Sequence, residues 1–143
     1  MNIEEPENIT ISVVVQAPIE HIWTCFTEPR HIINWHVASG DWYCPSANND
    51  FKAGGRFSYR MEANDGSVGF DFSGMYDEVK THELIRYTLD DNRKVEVSFS
   101  EKANNQIKLI EVFEAEDTNF LELQEFGWQN MLNRFKEYVE HSI

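Results

Sequence analysis

The sequence predicts an α+β domain: a curved antiparallel sheet of six strands, two short N-terminal helices and a long C-terminal helix across the concave face of the sheet. Three observations point there. Segments of alternating apolar and polar residues follow one another closely from residue 56 to residue 116. The turns between them are short, so successive strands pair antiparallel. An apolar stripe at helical spacing then runs to the end of the chain.

Residues 9–16 (ITISVVVQ) are rich in β-branched side chains and read as the first strand. Pro18 suits the first turn of a helix, where its missing N–H costs nothing. Ile19, Ile22, Trp23 and Phe26 then repeat at helical spacing and give that helix one apolar face. Pro29 starts a second short helix carrying Ile32, Ile33 and Trp35. From His36 to Asp50 the chain reads as an irregular loop, because Gly40, Pro45, Asn48 and Asn49 all favour loop.

Gly54-Gly55 opens the strand 56–63, in which Phe57, Tyr59 and Met61 alternate with polar residues. Asn64-Asp65-Gly66 is a hairpin turn. Residues 68–79 alternate again, with Phe70, Phe72 and Tyr76 in phase. Residues 84–90 carry Tyr87, and 93–100 carry Val95, Val97 and Phe99 in phase. Asn104-Asn105 turns into a last strand, 106–116. One face of this meander is apolar, which fits a sheet covered on one side. The closing helix is expected over 119–141, with Asn119 as N-cap and Glu122 completing a capping box. Trp128, Met131, Leu132, Phe135, Tyr138 and Val139 form its apolar stripe. At 1.5 Å per residue such a helix spans roughly 35 Å, enough to cross a whole sheet.

The chain has 143 residues, which fits one domain, expected over 9–141 behind an acidic tail of residues 1–8. Hydrophobic residues make up 41%, enough for a real core despite the high charge. The formal net charge is −13, so phosphate backbones and anionic membranes are repelled, and neither nucleic acid nor a membrane is an expected partner. No apolar run approaches the ~20 residues of a membrane span. Met1 to Asn8 is acidic and broken by Pro6, unlike a signal peptide. Two cysteines, Cys25 and Cys44, make no disulfide framework. A cytoplasmic protein with reduced thiols is the expectation.

A strongly twisted sheet curling around a helix leaves a hollow, and such hollows hold ligands. Inward aromatic and apolar residues are its expected lining: Tyr59, Met61, Phe70, Phe72, Tyr87 and Phe99 from the strands, Trp35 and Trp42 from the N-terminal half, Trp128 and Met131 from the helix. Plain core packing is the competing account of every one of them. Glu111 is in phase with Ile107, Leu109 and Phe113. If that face looks inward, one carboxyl points into the hollow. There it could hold a ligand's polar group, act as a base with a raised pKa, or pair with an arginine. If the opposite phase looks inward, Glu111 is solvated. Arg60 and Arg86 are out of phase with their strands' apolar residues and read as exposed. Gly127, beside Trp128, leaves room where a side chain would fill the hollow, or is tolerated facing solvent.

His36, Asp41, Cys44 and Asp50 share the 36–50 loop, but His-x4-Asp-x2-Cys is no metal-binding spacing, and no metal or cofactor is expected. The stretch is read instead as a loop that gates the pocket mouth, with His36 or Cys44 as a polar contact. No phosphate loop, nucleophile elbow or HExxH motif is present.

Several landmarks occur together in order: Ala17-Pro18-Ile19-Glu20 with Ile22-Trp23, Phe26-Thr27-x-Pro29, Ile32-x-x-Trp35, Asp50-x-x-x-Gly54-Gly55, Gly74-x-Tyr76, Ile107–Phe113 and Gly127-Trp128. In these the chain resembles the START-like (SRPBCC, helix-grip) superfamily, and within it bacterial proteins similar to the C-terminal domain of the activator of the heat-shock protein 90 ATPase. The resemblance covers about residues 9–141 and implies the helix-grip fold. It leaves function open, because the superfamily includes lipid carriers, cyclases, hydroxylase domains and co-chaperone domains. The eukaryotic co-chaperone engages its chaperone through a separate N-terminal domain, for which this chain has no room, so a chaperone contact is only weakly implied.

Three functions follow as expectations. The first is binding of a small hydrophobic or amphipathic molecule between sheet and helix. The second is a cyclase- or hydrolase-type enzyme in the same cavity, with Glu111 and His36 as acid and base. The third is an interaction module acting through its surface.

Overall fold

The structure is a computed structural model that describes residues 7–142. Of the expected acidic tail, residues 1–6 lie outside the described residues. Glu7 already accepts a backbone hydrogen bond from Ala115, and Asn8 begins the first strand.

The chain runs β1 (Asn8–Gln16), α1 (Ile19–Thr27), α2 (Pro29–Ile32), β2 (Trp42–Asn49), β3 (Arg56–Ala63), β4 (Gly69–Lys80), β5 (Leu84–Leu89), β6 (Lys94–Ala103), β7 (Gln106–Glu114) and α3 (Leu121–His141). The strands form one antiparallel sheet in the order β1-β7-β6-β5-β4-β3-β2. β2 to β7 are a continuous meander, and β1 returns beside β7, pairing from Asn8 opposite Glu114 to Gln16 opposite Gln106.

The sheet has seven strands, not the expected six. The additional one, β2, lies in the stretch 36–50 that reads as loop. It carries Pro45, and its pairing with β3 breaks register between Tyr43 and Ser46. Proline cannot donate to a ladder, so it is confined to edge strands and bulges, and β2 is an edge strand with a bulge at that place. Pro45 and the asparagines hide this strand from a pattern reading.

Elsewhere the alternation holds. β7 buries Ile107, Leu109, Glu111 and Phe113, and β3 buries Phe57, Tyr59 and Met61. Asn92 and Asn105 take left-handed backbone (φ 73° and 57°) at the tips of two hairpins, where asparagine is well tolerated. A Cβ at Gly55 would lie 1.9 Å from the Asp50 carbonyl oxygen, so the turn into β3 demands glycine there.

α3 begins at Leu121 with Phe120 as N-cap, and no side chain caps it. The expected capping box of Asn119 and Glu122 does not form. Gln124, one turn into the helix, holds the incoming chain instead. Its Nε2 donates to the carbonyls of Glu116 (3.0 Å) and Asn119 (2.8 Å), and its Oε1 accepts from the Glu116 N–H (2.8 Å).

From Gln129 onward α3 is clamped on β1. Lys136 donates to the Val14 carbonyl (2.6 Å), Gln129 donates to the Ser12 carbonyl (3.1 Å), and the Gln16 N–H donates to Glu140 (2.7 Å). These bonds occupy backbone groups along the free edge of β1, which an open sheet otherwise leaves unpaired. Leu132, Phe135 and Val139 are buried between sheet and α1, with the Phe135 ring 5.2 Å from Phe26 and 4.8 Å from Trp35. The N-terminal half is bound less closely. Phe120, Leu121, Leu123 and Phe126 are exposed there.

Candidate functional site

Between the N-terminal half of α3 and the concave face of the sheet lies a cavity of about 400 Å³. That volume is in the usual range for small-molecule sites. Its floor is the inward row of β3, β4 and β5, with Tyr59 and Met61, Phe72 and Tyr76, and Tyr87. Its roof is α3 at Gly127, Trp128 and Met131, and one wall is the segment after α2, with Trp35 and His36. Trp42 and Phe70, their rings 5.7 Å apart, stand at the mouth, where Phe70 is half exposed.

The rings brace one another. Trp128 stacks on Phe113 and meets Phe72 edge-on at 5.9 Å, and Phe72 meets Tyr87 at 6.5 Å. Trp35 is held by its indole N–H, which donates to the Cys25 carbonyl (3.0 Å). A Cβ on Gly127 would meet nothing within 4 Å, so the glycine is not needed for close packing and simply borders open space.

The polar groups around the cavity fall into two sets. Tyr59 and Tyr76 share a hydrogen bond between their hydroxyls (3.0 Å), and Asn49 donates to Tyr76 (3.2 Å) and to the Thr27 carbonyl (2.7 Å). These groups are satisfied, and burial pushes the Tyr59 hydroxyl well above its ordinary pKa. The second set lacks such partners. Glu111 is buried on the cavity wall, and burial alone raises its pKa to about 8, with no charge or hydrogen bond offsetting it. No fully enclosed side-chain nitrogen or oxygen among the described residues lacks a partner, so the free Glu111 oxygens face the cavity. Tyr87 is also pushed up, first by burial and then by the neighbouring Glu111. His36 is enclosed by Tyr59 and Phe72, its Nδ1 lies 3.4 Å from the Met61 sulfur, and burial lowers its pKa to about 4. At neutral pH the cavity therefore holds a protonated carboxyl and a neutral imidazole.

A family model described as "Activator of Hsp90 ATPase homolog 1-like protein" matches residues 16–140. The chain belongs to this family. It is thereby a member of the START-like superfamily, with the curled sheet and C-terminal helix of that fold. Among solved structures, a Cytophaga hutchinsonii protein is 48% identical, with 94% of this chain and 93% of that one covered and a TM-score of 0.82. An activator-homologue-like protein of Aeromonas hydrophila is 35% identical over 94% of both chains, with a TM-score of 0.85. A Chromobacterium violaceum protein, 23% identical over 94% of this chain and 99% of that one, shares the fold with a TM-score of 0.82. Comparison with the curated proteins finds no match.

In this family member, Trp35, His36, Trp42, Tyr59, Met61, Phe70, Phe72, Tyr87, Glu111, Trp128 and Met131 all border the cavity. Phe99 does not. It lies at the other end of the core, 5.1 Å from Trp23 and 5.6 Å from Phe26, because α1 covers that part of β6. Arg60 and Arg86 sit on the outer face, paired with Glu62 and Asp71 and with Glu78 and Glu96. Cys44 is on β2 and buried, not in a loop, and its thiol contacts the Ser46 carbonyl. Among the described residues no group of three or more His, Cys, Asp or Glu side chains is placed to hold a metal ion, and no helix is long and apolar enough to cross a membrane.

Phe57, Tyr76 and Gln124 also border the cavity and were not in the expected lining. The first two were legible, being in phase with Tyr59 and Phe72. Gln124 lies four residues before Trp128, in phase with the apolar stripe of the helix, but its polar side chain gave no sign that it is buried.

Proposed function

We propose that this chain is a cytoplasmic binding protein for a small hydrophobic or amphipathic molecule held between the sheet and α3. The observation that carries this reading is the preformed, aromatic-lined cavity of about 400 Å³ with the buried carboxyl of Glu111 set into its wall. A void of this size forfeits packing energy, on the order of 24 cal/mol per Å³ in engineered cavities. A fold that keeps such a void gains from something that fills it. Native mass spectrometry of protein purified from its own host, with titration of a neutral apolar fluorescent probe, tests the reading. A retained small molecule or saturable probe binding is expected. Absence of both would overturn it.

The charge of −13 supports the further proposal that neither nucleic acid nor an anionic membrane is a partner. An enzyme is the second reading, favoured by Glu111 and His36 in one cavity with pKa values pushed to about 8 and about 4. Turnover of a bound ligand, lost in Glu111→Gln while binding persists, would establish it. An interaction module, including a chaperone contact, draws on the exposed side chains at the start of α3.

A further inference from the structure

We propose that the ligand is an organic cation, an alkyl or aryl ammonium, whose charge pairs with Glu111 among the cavity's rings. The inference rests on the cavity being a ligand site and names the chemistry that site selects. Buried carboxylates in folded proteins are paired, because an isolated buried charge is costly. Glu111 is more than nine-tenths buried, faces the cavity and has no partner among the described residues.

No described cation is paired with it. Its sheet neighbours are Ile11 on β1 and Val97 on β6. From β3, β4 and β5 the titratable groups bordering the cavity are Tyr59, Tyr76 and Tyr87, and from the segment after α2 it is His36, held neutral by burial. α3 contributes Gln124, Trp128, Met131 and Leu132, none of them charged. Arg93 and Glu116 reach the cavity from loops. Arg93 is paired with Asp91 at 2.8 Å, and its charge acts on Tyr87 rather than forming an ion pair with Glu111. Among the described residues no cation is paired with Glu111, and a ligand can supply the counter-charge.

The rest of the cavity suits such a ligand. Tyr87 neighbours Glu111, and Phe72 and Trp128 line the same cavity; aromatic rings attract ammonium groups most strongly when both are desolvated. The overall charge of −13 draws cations towards the molecule and repels anions.

Protonation gives the inference a signature. Below pH 8 Glu111 is mostly protonated, so an ammonium ligand must displace its proton on binding. Affinity then rises up to about tenfold per pH unit until Glu111 is ionised, and levels off above. A neutral ligand accepting a hydrogen bond from the protonated carboxyl would show the reverse.

The test is displacement of the neutral probe N-phenyl-1-naphthylamine by decyltrimethylammonium, decanol or decanoate, all below micelle formation. The quaternary ammonium carries no proton of its own, so Glu111 dominates the pH profile. At pH 9 the cation is expected to bind at least about tenfold more tightly than decanol. That advantage should shrink as pH falls from 8 to 6. Glu111→Gln should abolish it and leave decanol binding in place. Should the variant not fold, the wild-type pH series alone decides. Equal binding of cation and decanol at pH 9, a preference for decanoate, or an advantage that survives Glu111→Gln would overturn the inference while the binding cavity stands. If neither the probe nor any decyl compound binds, the cavity reading itself falls.

Discussion

Trp128 of α3 lies flat on Phe113 of β7, with ring centroids 4.0 Å apart and planes 10° from parallel. Phe113 is fully buried, and it is the in-phase neighbour of Glu111 on the same strand. The stack thus ties the loosely held half of α3 to the strand that carries the cavity's carboxyl. Trp128→Ala should cost about 2–4 kcal/mol of stability, combining lost burial with a lost aromatic pair. Amide exchange over residues 121–128 should quicken more than over 132–141. Unchanged exchange at the start of the helix would show that Gln124 alone holds it.

Met131 borders the cavity from the roof and is only partly buried. Met131→Trp should fill space that is empty, abolishing binding of a neutral apolar probe while stability stays within about 1–3 kcal/mol of wild type. Probe titration and denaturant unfolding check the two halves separately. Undiminished probe binding would place the probe elsewhere on the molecule.

Glu111 has a folded-state pKa of about 8 against an ordinary value of 4.5. Between these values the folded chain binds more protons than the unfolded chain, so this group lowers stability as pH rises from 4.5 to 8. Glu111→Gln removes that dependence. The variant should gain on wild type as pH rises, by on the order of 5 kcal/mol at pH 9 relative to pH 4, in paired denaturant titrations. A constant difference across that range would mean that Glu111 titrates normally in the folded protein.

Both thiols are buried and free, and burial raises both pKa values. Native alkylation of Cys25 and Cys44 should be on the order of 100-fold slower than in denatured chain. Cys44 should be the faster, since β2 is a bulged edge strand whereas Cys25 is enclosed in the core. Faster reaction at Cys25 would mean that α1 opens before β2 does.

The sequence by itself determined the architecture and the phase of nearly every strand, because alternation and the helical stripe are local consequences of one buried face. Ile107, Leu109, Glu111 and Phe113 were visibly in phase, so they were legible as one face of β7. Local pattern could not decide which phase of β7 faces inward, and hence whether Glu111 is solvated or buried. The register of Glu111 between Ile11 and Val97, under a roof of α3, decided it. Tertiary structure alone also made an edge strand of the Pro45 segment, since its pairing comes from β3, and turned Gln124 into the anchor of α3. It likewise removed Phe99 from the cavity, because α1 packs over the strand that carries it. Burial belongs to what lies opposite a residue, and what lies opposite is set by chain segments far away in sequence.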